Sequence, residues 1–220
     1  MKNNILTKKQ TDFLGKIKGN SFFAKNFYLT GGTALAGFYL RHRYSDDLDF
    51  FSEKEIDVLP INVFLDSIKK ELPIEEIDYQ QNFNRNLFFL RYADGEILKI
   101  EFTYYPFVRI EKGIKQYGVE IDSLLDIAVN KLFTIYQRSQ IKDYIDLFFI
   151  CKNEKLLIRD LIKKARIKFD WHIDFLQLGA QFVKIEELKD LPNMVIKTDI
   201  KDIQKFFIKE AKKLKPEIIK

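Results

Sequence analysis

The chain has 220 residues, of which 46% are hydrophobic and 15% aromatic, enough to bury a substantial core and too apolar for a disordered chain. Its 37 basic and 32 acidic residues leave a net charge of +5 and a pI near 9.0, a modest bias towards an acidic partner such as RNA, without the charge density of a polybasic protein. A lone Cys151 excludes an intrachain disulfide, and two unclustered histidines, His42 and His172, speak against zinc chemistry and against Cys-His or Ser-His-Asp hydrolysis. With no signal-like N-terminus and no apolar run near the ~20 residues of a membrane span, the chain is expected to be cytoplasmic with no membrane partner.

Residues 5–18 carry Phe13, Leu14 and Ile17 at helical spacing, which predicts an amphipathic opening helix packed on a sheet. From Phe27 to Ser52 the chain reads FYLTGGTALAGFYLRHRYSDDLDFFS: a strand, a glycine turn, a short helix and a second strand. Strand side chains alternate, so Leu48 and Phe50 face a core while Asp47 and Asp49 point the other way together. Arg43 and Ser45 share the parity of the two aspartates, giving a polar row that Asp46 and Phe51 interrupt. Neighbouring carboxylates repel unless a cation lies between them or one keeps a proton. A hard divalent cation, Mg²⁺ or Mn²⁺, resolves the conflict by taking one or two carboxylates along with substrate phosphates. Gly31 and Gly32 end the first strand and let a ligand approach the backbone, and the helix from Thr33 offers phosphate its free N–H groups. Together these features predict a site for a metal-bound nucleoside triphosphate; solvated surface charge is the competing reading of the pair.

Residues 60–72 predict a second helix, with Ile61, Phe64, Leu65 and Ile68 as its apolar stripe. Two β-rich runs, Asn86 to Ala93 and Glu96 to Thr103, flank Asp94-Gly95, a hairpin signal. In the second run Leu98, Ile100 and Phe102 share one face, while Lys99, Glu101 and Thr103 share the other. Glu101 thereby lies on a polar strand face that can neighbour Asp47 and Asp49. Residues 104–116 predict a turn and a short strand, and near residue 120 the period changes to helical, dividing the chain into 1–120 and 121–220. Two helices follow from Ser123, meeting around 138–141, with Ser123 as a cap and Asp126 at the capping-box position. Lys131 sits among Ala128, Leu132 and Ile135, so it either snorkels to solvent or points into a cleft. Arg138 lies on roughly the same face, and Asp143 and Asp146 share a face of the second helix; solvated helix charges would explain all four. Residues 155–220 carry no chemistry-bearing motif. Lys163, Lys164, Arg166 and Lys168 cluster near Phe169 and Trp171, and the final helix sets Ile203, Phe207, Ala211 and Leu214 among lysines. Such a face is a packed helix with a wet side, or a track for an RNA backbone with aromatics for an unstacked 3′ end.

GGTAL followed by RHRYSDDLDFFS, and further on NKLFTIYQRSQIKDYIDLFFI, resemble the motifs of the AbiEii/AbiGii-type nucleotidyltransferase toxins, the MenT-like group of the DNA polymerase β-like superfamily. Gly31-Gly32 stands where the superfamily more often has Gly-Ser, and the resemblance covers residues 25–150. It implies an α/β (α+β) fold: a nucleotidyltransferase core with a mixed sheet flanked by helices, plus a C-terminal helical region completing the cleft. It also implies Mg²⁺- or Mn²⁺-dependent transfer of a nucleoside monophosphate from an NTP to an acceptor hydroxyl. On that resemblance Asp47, Asp49 and Glu101 hold metal, Glu101 standing where aspartate is commoner. Lys131 meets the triphosphate, and Asp146 lines the cleft. Gly31, Gly32, Thr33, Arg43, Ser45, Lys131, Arg138 and Asp143 bind nucleotide. The implied role is the toxin of a toxin–antitoxin, abortive-infection system acting on RNA, tRNA ends included, with a cognate antitoxin. A small-molecule nucleotidyltransferase and a catalytically silent protein of the same fold are the rival readings.

Overall fold

The computed structural model describes residues 4–218. Thr7 begins helix α1 (Lys8–Ile17) with a capping box: its hydroxyl accepts from the Gln10 backbone N–H at 3.2 Å, and the Thr7 N–H donates to the Gln10 side chain at 2.9 Å. The predicted stripe of Phe13, Leu14 and Ile17 is fully buried. A one-and-a-half-turn helix α2 (Ser21–Asn26), capped by Asn20, leads into strand β1 (Tyr28–Thr30). Helix α3 (Gly31–Leu35) begins on the glycines themselves rather than after them and widens into a π-helical turn over Ala36–Leu40.

Strand β2 (Leu48–Ser52) starts one residue after Asp47, so the extended polar row expected from Arg43 onward does not form. Arg41 adopts a left-handed φ of 52°, and His42 and Arg43 after it lie outside the strand. Helix α4 (Leu59–Lys69) opens on Pro60, whose missing N–H costs nothing in the first turn, and buries Ile61, Leu65 and Ile68. Strands β3 (Ile74–Asn82), β4 (Arg85–Tyr92) and β5 (Ile97–Tyr104) form a meander, and Gly95, at φ 82°, makes the β4–β5 turn. Short strands β6 (Ile114–Gln116) and β7 (Val119–Ile121) follow.

Among the described residues these strands form one mixed sheet in the order β3-β4-β5-β2-β1-β7-β6. β1 runs antiparallel to β2 and parallel to β7, while β2 and β5 are parallel, so the fold is α+β with a mixed sheet flanked by helices, as the sequence implied. One sheet face packs Phe50, Phe88 and Phe102, all fully buried, beneath α1, α2 and α4.

The chain divides into two compact units. The first, holding the sheet, runs up to Phe38 and continues through Ser45–Val108 and Lys112–Ser123. The second comprises Tyr39–Tyr44, Arg109–Glu111 and the chain from Leu124 onward. Within the second, helices α5 (Leu124–Gln137), α6 (Ile141–Glu154), α7 (Ile158–Phe169), α8 (Phe175–Val183) and α9 (Ile200–Ile218) surround buried Tyr144, Phe182 and Phe207. The Tyr144 hydroxyl donates to the Gln181 carbonyl at 2.6 Å. Residues 42–44 join this unit by backbone hydrogen bonds: Tyr44 N–H to the Asn193 carbonyl, and Val195 N–H to the His42 carbonyl, both at 2.9 Å. No helix among the described residues is long and apolar enough to cross a membrane.

Candidate active site

In the first unit, parallel pairing of β2 and β5 sets Asp49 directly opposite Glu101 and, one residue on, Phe50 opposite Phe102. The two phenylalanine rings stack at 5.2 Å on the buried face, which fixes the register that brings the acidic residues together on the other. Asp47 enters this face from the preceding loop, which is tied at several points. The Thr33 hydroxyl donates to the Asp47 carbonyl. Gln10, fully buried on α1, donates its amide to the carbonyls of Ser45 at 2.9 Å and Asp46 at 3.0 Å. Gly31 has φ 74°, and a Cβ there would lie 2.5 Å from Asp49 Oδ2. Glycine is therefore required twice at this position, once for the backbone and once for the carboxylate packed against it.

Two cations share the acidic face. Lys99 Nζ lies 2.8 Å from Asp47 Oδ2 and 4.0 Å from Glu101 Oε2. Arg85 grips Glu101 with a fork, Nε to Oε1 at 2.7 Å and Nη2 to Oε2 at 2.5 Å, and the Thr103 hydroxyl donates to Oε1 at 2.6 Å. Burial pushes the Glu101 carboxyl up, but these hydrogen bonds and the charges of Arg85 and Lys99 outweigh it and hold the group below its ordinary value. Burial likewise works against the Lys99 charge, and the bond to Asp47 together with the charges of Asp47, Asp49 and Glu101 carries its pKa upward. Sequence parity could have picked out Lys99, two residues before Glu101; Arg85 and Gln10 come from elsewhere in the chain and carry no local signal.

Among the described residues no three His, Cys, Asp or Glu are grouped to hold a metal ion. Glu101, the third carboxylate implied by the resemblance, stands opposite Asp49, and its oxygens accept from Arg85 and Thr103. The donor set nonetheless fits a hard divalent cation held by the two aspartates. Both are oxygen ligands, Asp47 already binds one cation in the ammonium of Lys99, and Gly31 leaves the space beside the Asp49 carboxylate that any larger residue would fill.

The second unit contains a separate charged cluster. Asp146 on α6, fully buried, accepts from Arg43 Nε at 2.7 Å and Nη2 at 2.8 Å, from His42 Nε2 at 2.8 Å, and pairs with Lys131 Nζ at 2.7 Å. Lys131 Nζ also donates to Asp143 Oδ1 at 2.7 Å, and Arg138 Nη2 stands 3.7 Å from Asp143 Oδ2. Burial would raise the Asp146 carboxyl, but the charges of Lys131 and Arg43 and the bonds from Arg43 and His42 hold it well below the usual range. For Lys131 burial acts downward, and Asp146 and Asp143 overcome it to raise the ammonium pKa. Lys131, Asp143, Asp146 and Arg138 are thus brought together as one network, with Arg43 belonging to it rather than to the aspartate row. His42, which carried no functional reading in the sequence, completes it.

The C-terminal basic cluster separates on inspection. Lys168 is a buried partner of Asp126 at 2.7 Å, and Asp126 also accepts from the backbone N–H of Ile110 at 2.9 Å. Arg166 donates to the Ile173 carbonyl at 2.8 Å and lies over the Phe175 ring. Lys163 and Trp171 remain exposed. A groove of about 610 Å³ between α7, the start of α8 and the end of α9 is lined by Arg159, Lys163, Arg166 and Lys213, by Glu210 and Glu217, and by Ile162 and Phe175.

Residues 12–217 match the family described as nucleotidyl transferase AbiEii toxin, Type IV TA system. An uncharacterized protein of Aquifex aeolicus (strain VF5), aq_aa25, is 30% identical over 211 residues, spanning 94% of this chain and 96% of its own length. The crystal structure of JHP933 from Helicobacter pylori has a similar fold, with a TM-score of 0.60 at 22% identity over 97% of this chain and 94% of that one. An H. pylori crystal structure of a nucleotidyltransferase candidate gives the same TM-score at 23% identity, covering 97% of each chain.

Proposed function

Because the chain belongs to the AbiEii nucleotidyl transferase toxin family, we propose that it transfers a nucleoside monophosphate from an NTP to a hydroxyl of an RNA acceptor, releasing pyrophosphate. The observation that carries this reading is the placement of Asp49 against both Gly31 and Glu101, with Asp47 beside them on the same face. Asp47 and Asp49 would hold the divalent ion. When bound, that ion supplies neutralisation of the triphosphate and polarisation of the phosphoryl oxygens.

The remaining roles fall to this chain's own groups. Gly31 leaves room for the Asp49 carboxylate and Gly32 follows it in the first turn of α3, while Thr33 and Ser45 serve through the loop they help fix, Thr33 by its bond to the Asp47 carbonyl and Ser45 by its carbonyl bond to Gln10. Glu101, kept ionised by Arg85, maintains the negative potential of the face. Lys131 is the phosphate-binding cation of the second unit, with Asp143, Asp146 and Arg138 setting its position and Arg43 holding Asp146. The acceptor is read as RNA, tRNA ends included, on the net charge of +5 and the basic groove over Ile162 and Phe175. In a type IV pair the chain is the toxin, and a cognate antitoxin is its genetic partner.

Incubation with each α-labelled NTP, Mg²⁺ and total RNA is expected to label a discrete RNA band, with binding that falls steeply with salt. Label on an aminoglycoside or metabolite, and none on RNA, would replace the acceptor with a small molecule. No transfer to either would favour a silent binding protein.

A further inference from the structure

Of the two cations on the acidic face, Arg85 makes two bonds to its carboxylate and Lys99 makes one. Arg85 holds Glu101 through two parallel bonds, and the Glu101 side chain is only 6% exposed. Lys99 makes a single point contact with Asp47, a side chain that is 45% exposed, while the Glu101 carboxylate stands 4.0 Å from the same ammonium. An ammonium on a four-carbon stem rotates freely among acceptors, which a bidentate guanidinium does not. A half-exposed ion pair contributes little to stability, so exchanging its cation is cheap. Lys99 and a divalent ion cannot both sit on Asp47 Oδ2, since two like charges would share one oxygen.

We propose that Lys99 is a resident counter-ion for Asp47 that swings to Glu101 when a divalent cation loads, and so sets the metal concentration at which the site fills. The inference rests on Asp47 being a metal ligand. It gives Glu101 a purpose that its bonds to Arg85 otherwise obscure: it is the carboxylate that receives the displaced ammonium. With the metal absent Lys99 pairs with Asp47, and with it present Lys99 joins Arg85 beside Glu101.

The test is calorimetric titration of Mn²⁺ into the nucleotide-free protein, with melting temperatures measured in chelator and in Mn²⁺. Removing the competing charge in Lys99→Met should tighten Mn²⁺ binding by about three- to tenfold, the range expected for one partly screened like charge. The same variant should gain more in melting temperature from Mn²⁺ than wild type does. Glu101→Gln, lacking the receiving carboxylate, should bind Mn²⁺ more weakly than wild type. Lys99→Gln provides the same charge change should the methionine variant fail to fold. Unchanged Mn²⁺ affinity in the Lys99 variants, with binding still lost in Asp47→Asn, would overturn the counter-ion role and leave the metal site standing. Mn²⁺ affinity that is indifferent to both Asp47→Asn and Asp49→Asn would remove the metal site and the proposal with it.

Discussion

Asp146 and Asp47 are both carboxylates held by a lysine, at 2.7 and 2.8 Å, yet their surroundings differ in kind. Asp146 is fully buried and meets Arg43 and His42 as well, so every charge in the second unit's network has an opposite charge fixed beside it. Asp47 is half exposed, with one point contact that water and ions can reach. The buried cluster engages both Asp146 oxygens and is costly to disturb there, while His42 Nδ1 and Asp143 Oδ2 make no hydrogen bond; the open cluster rests on one exposed contact and can exchange a partner at little cost to the fold. A site that must admit a cation and release a product needs the second arrangement, while a cation that must be held still benefits from the first.

Breaking the buried cluster should give the largest effect. Asp146→Asn removes the carboxylate that Arg43 grips in the interior and leaves Lys131 with Asp143 alone, and should cost about 3–5 kcal/mol of stability in urea unfolding. A loss below about 1 kcal/mol would show that the cluster is hydrated and that Asp146 and Asp47 do not differ in kind. Acid should reproduce the effect without mutation. The Asp146 carboxyl lies well below its unfolded value, so its contribution is complete above about pH 4 and is lost as pH falls from there towards the folded pKa. Denaturant midpoints measured from pH 6 down to 2 should fall steeply below pH 4 in wild type and less so in Asp146→Asn.

A smaller effect is expected at Gly31, on the edge of the open cluster. Alanine there must hold a left-handed φ, which costs about 1–2 kcal/mol, and its Cβ would press on Asp49 Oδ2. Nucleotidyl transfer should drop more than the modest stability loss accounts for, by about 100-fold if the carboxylate moves by ~1 Å. Gly15→Ala, in the interior of α1 with open space around it, should leave transfer intact. Equal activity in the two alanine variants would separate Asp49 from the chemistry.

The alternation in DLDFF and LKIEF was enough to place Asp49 and Glu101 on polar faces of two strands, because the period of two follows directly from a core of Leu48, Phe50, Leu98, Ile100 and Phe102. Parity alone could not say that Arg85 would already occupy Glu101, since that contact depends on the register of β4 with β5. Arg43 misled for a local reason. The left-handed turn at Arg41 sends it to Asp146, and nothing in RHRYSDD marks that change of direction. Strand β3 gave no signal because it is an edge strand wetted on both faces, so IEEIDYQQN lacks alternation. The pairing of Lys131 with Asp143 and Asp146 was legible only as helix faces, whereas its completion by His42 required the tertiary fold.

The smallest change to the fold should produce the decisive change in function. Asp49→Asn keeps the shape of the side chain on a partly exposed strand face and should alter stability by less than about 1 kcal/mol. Single-turnover transfer from α-labelled NTP, measured beside thermal unfolding of the same sample, tests the central claim most directly. A catalytic Asp49 gives a rate at least about 100-fold below wild type at an unchanged melting temperature; a near-native rate in Asp49→Asn would remove it from the chemistry.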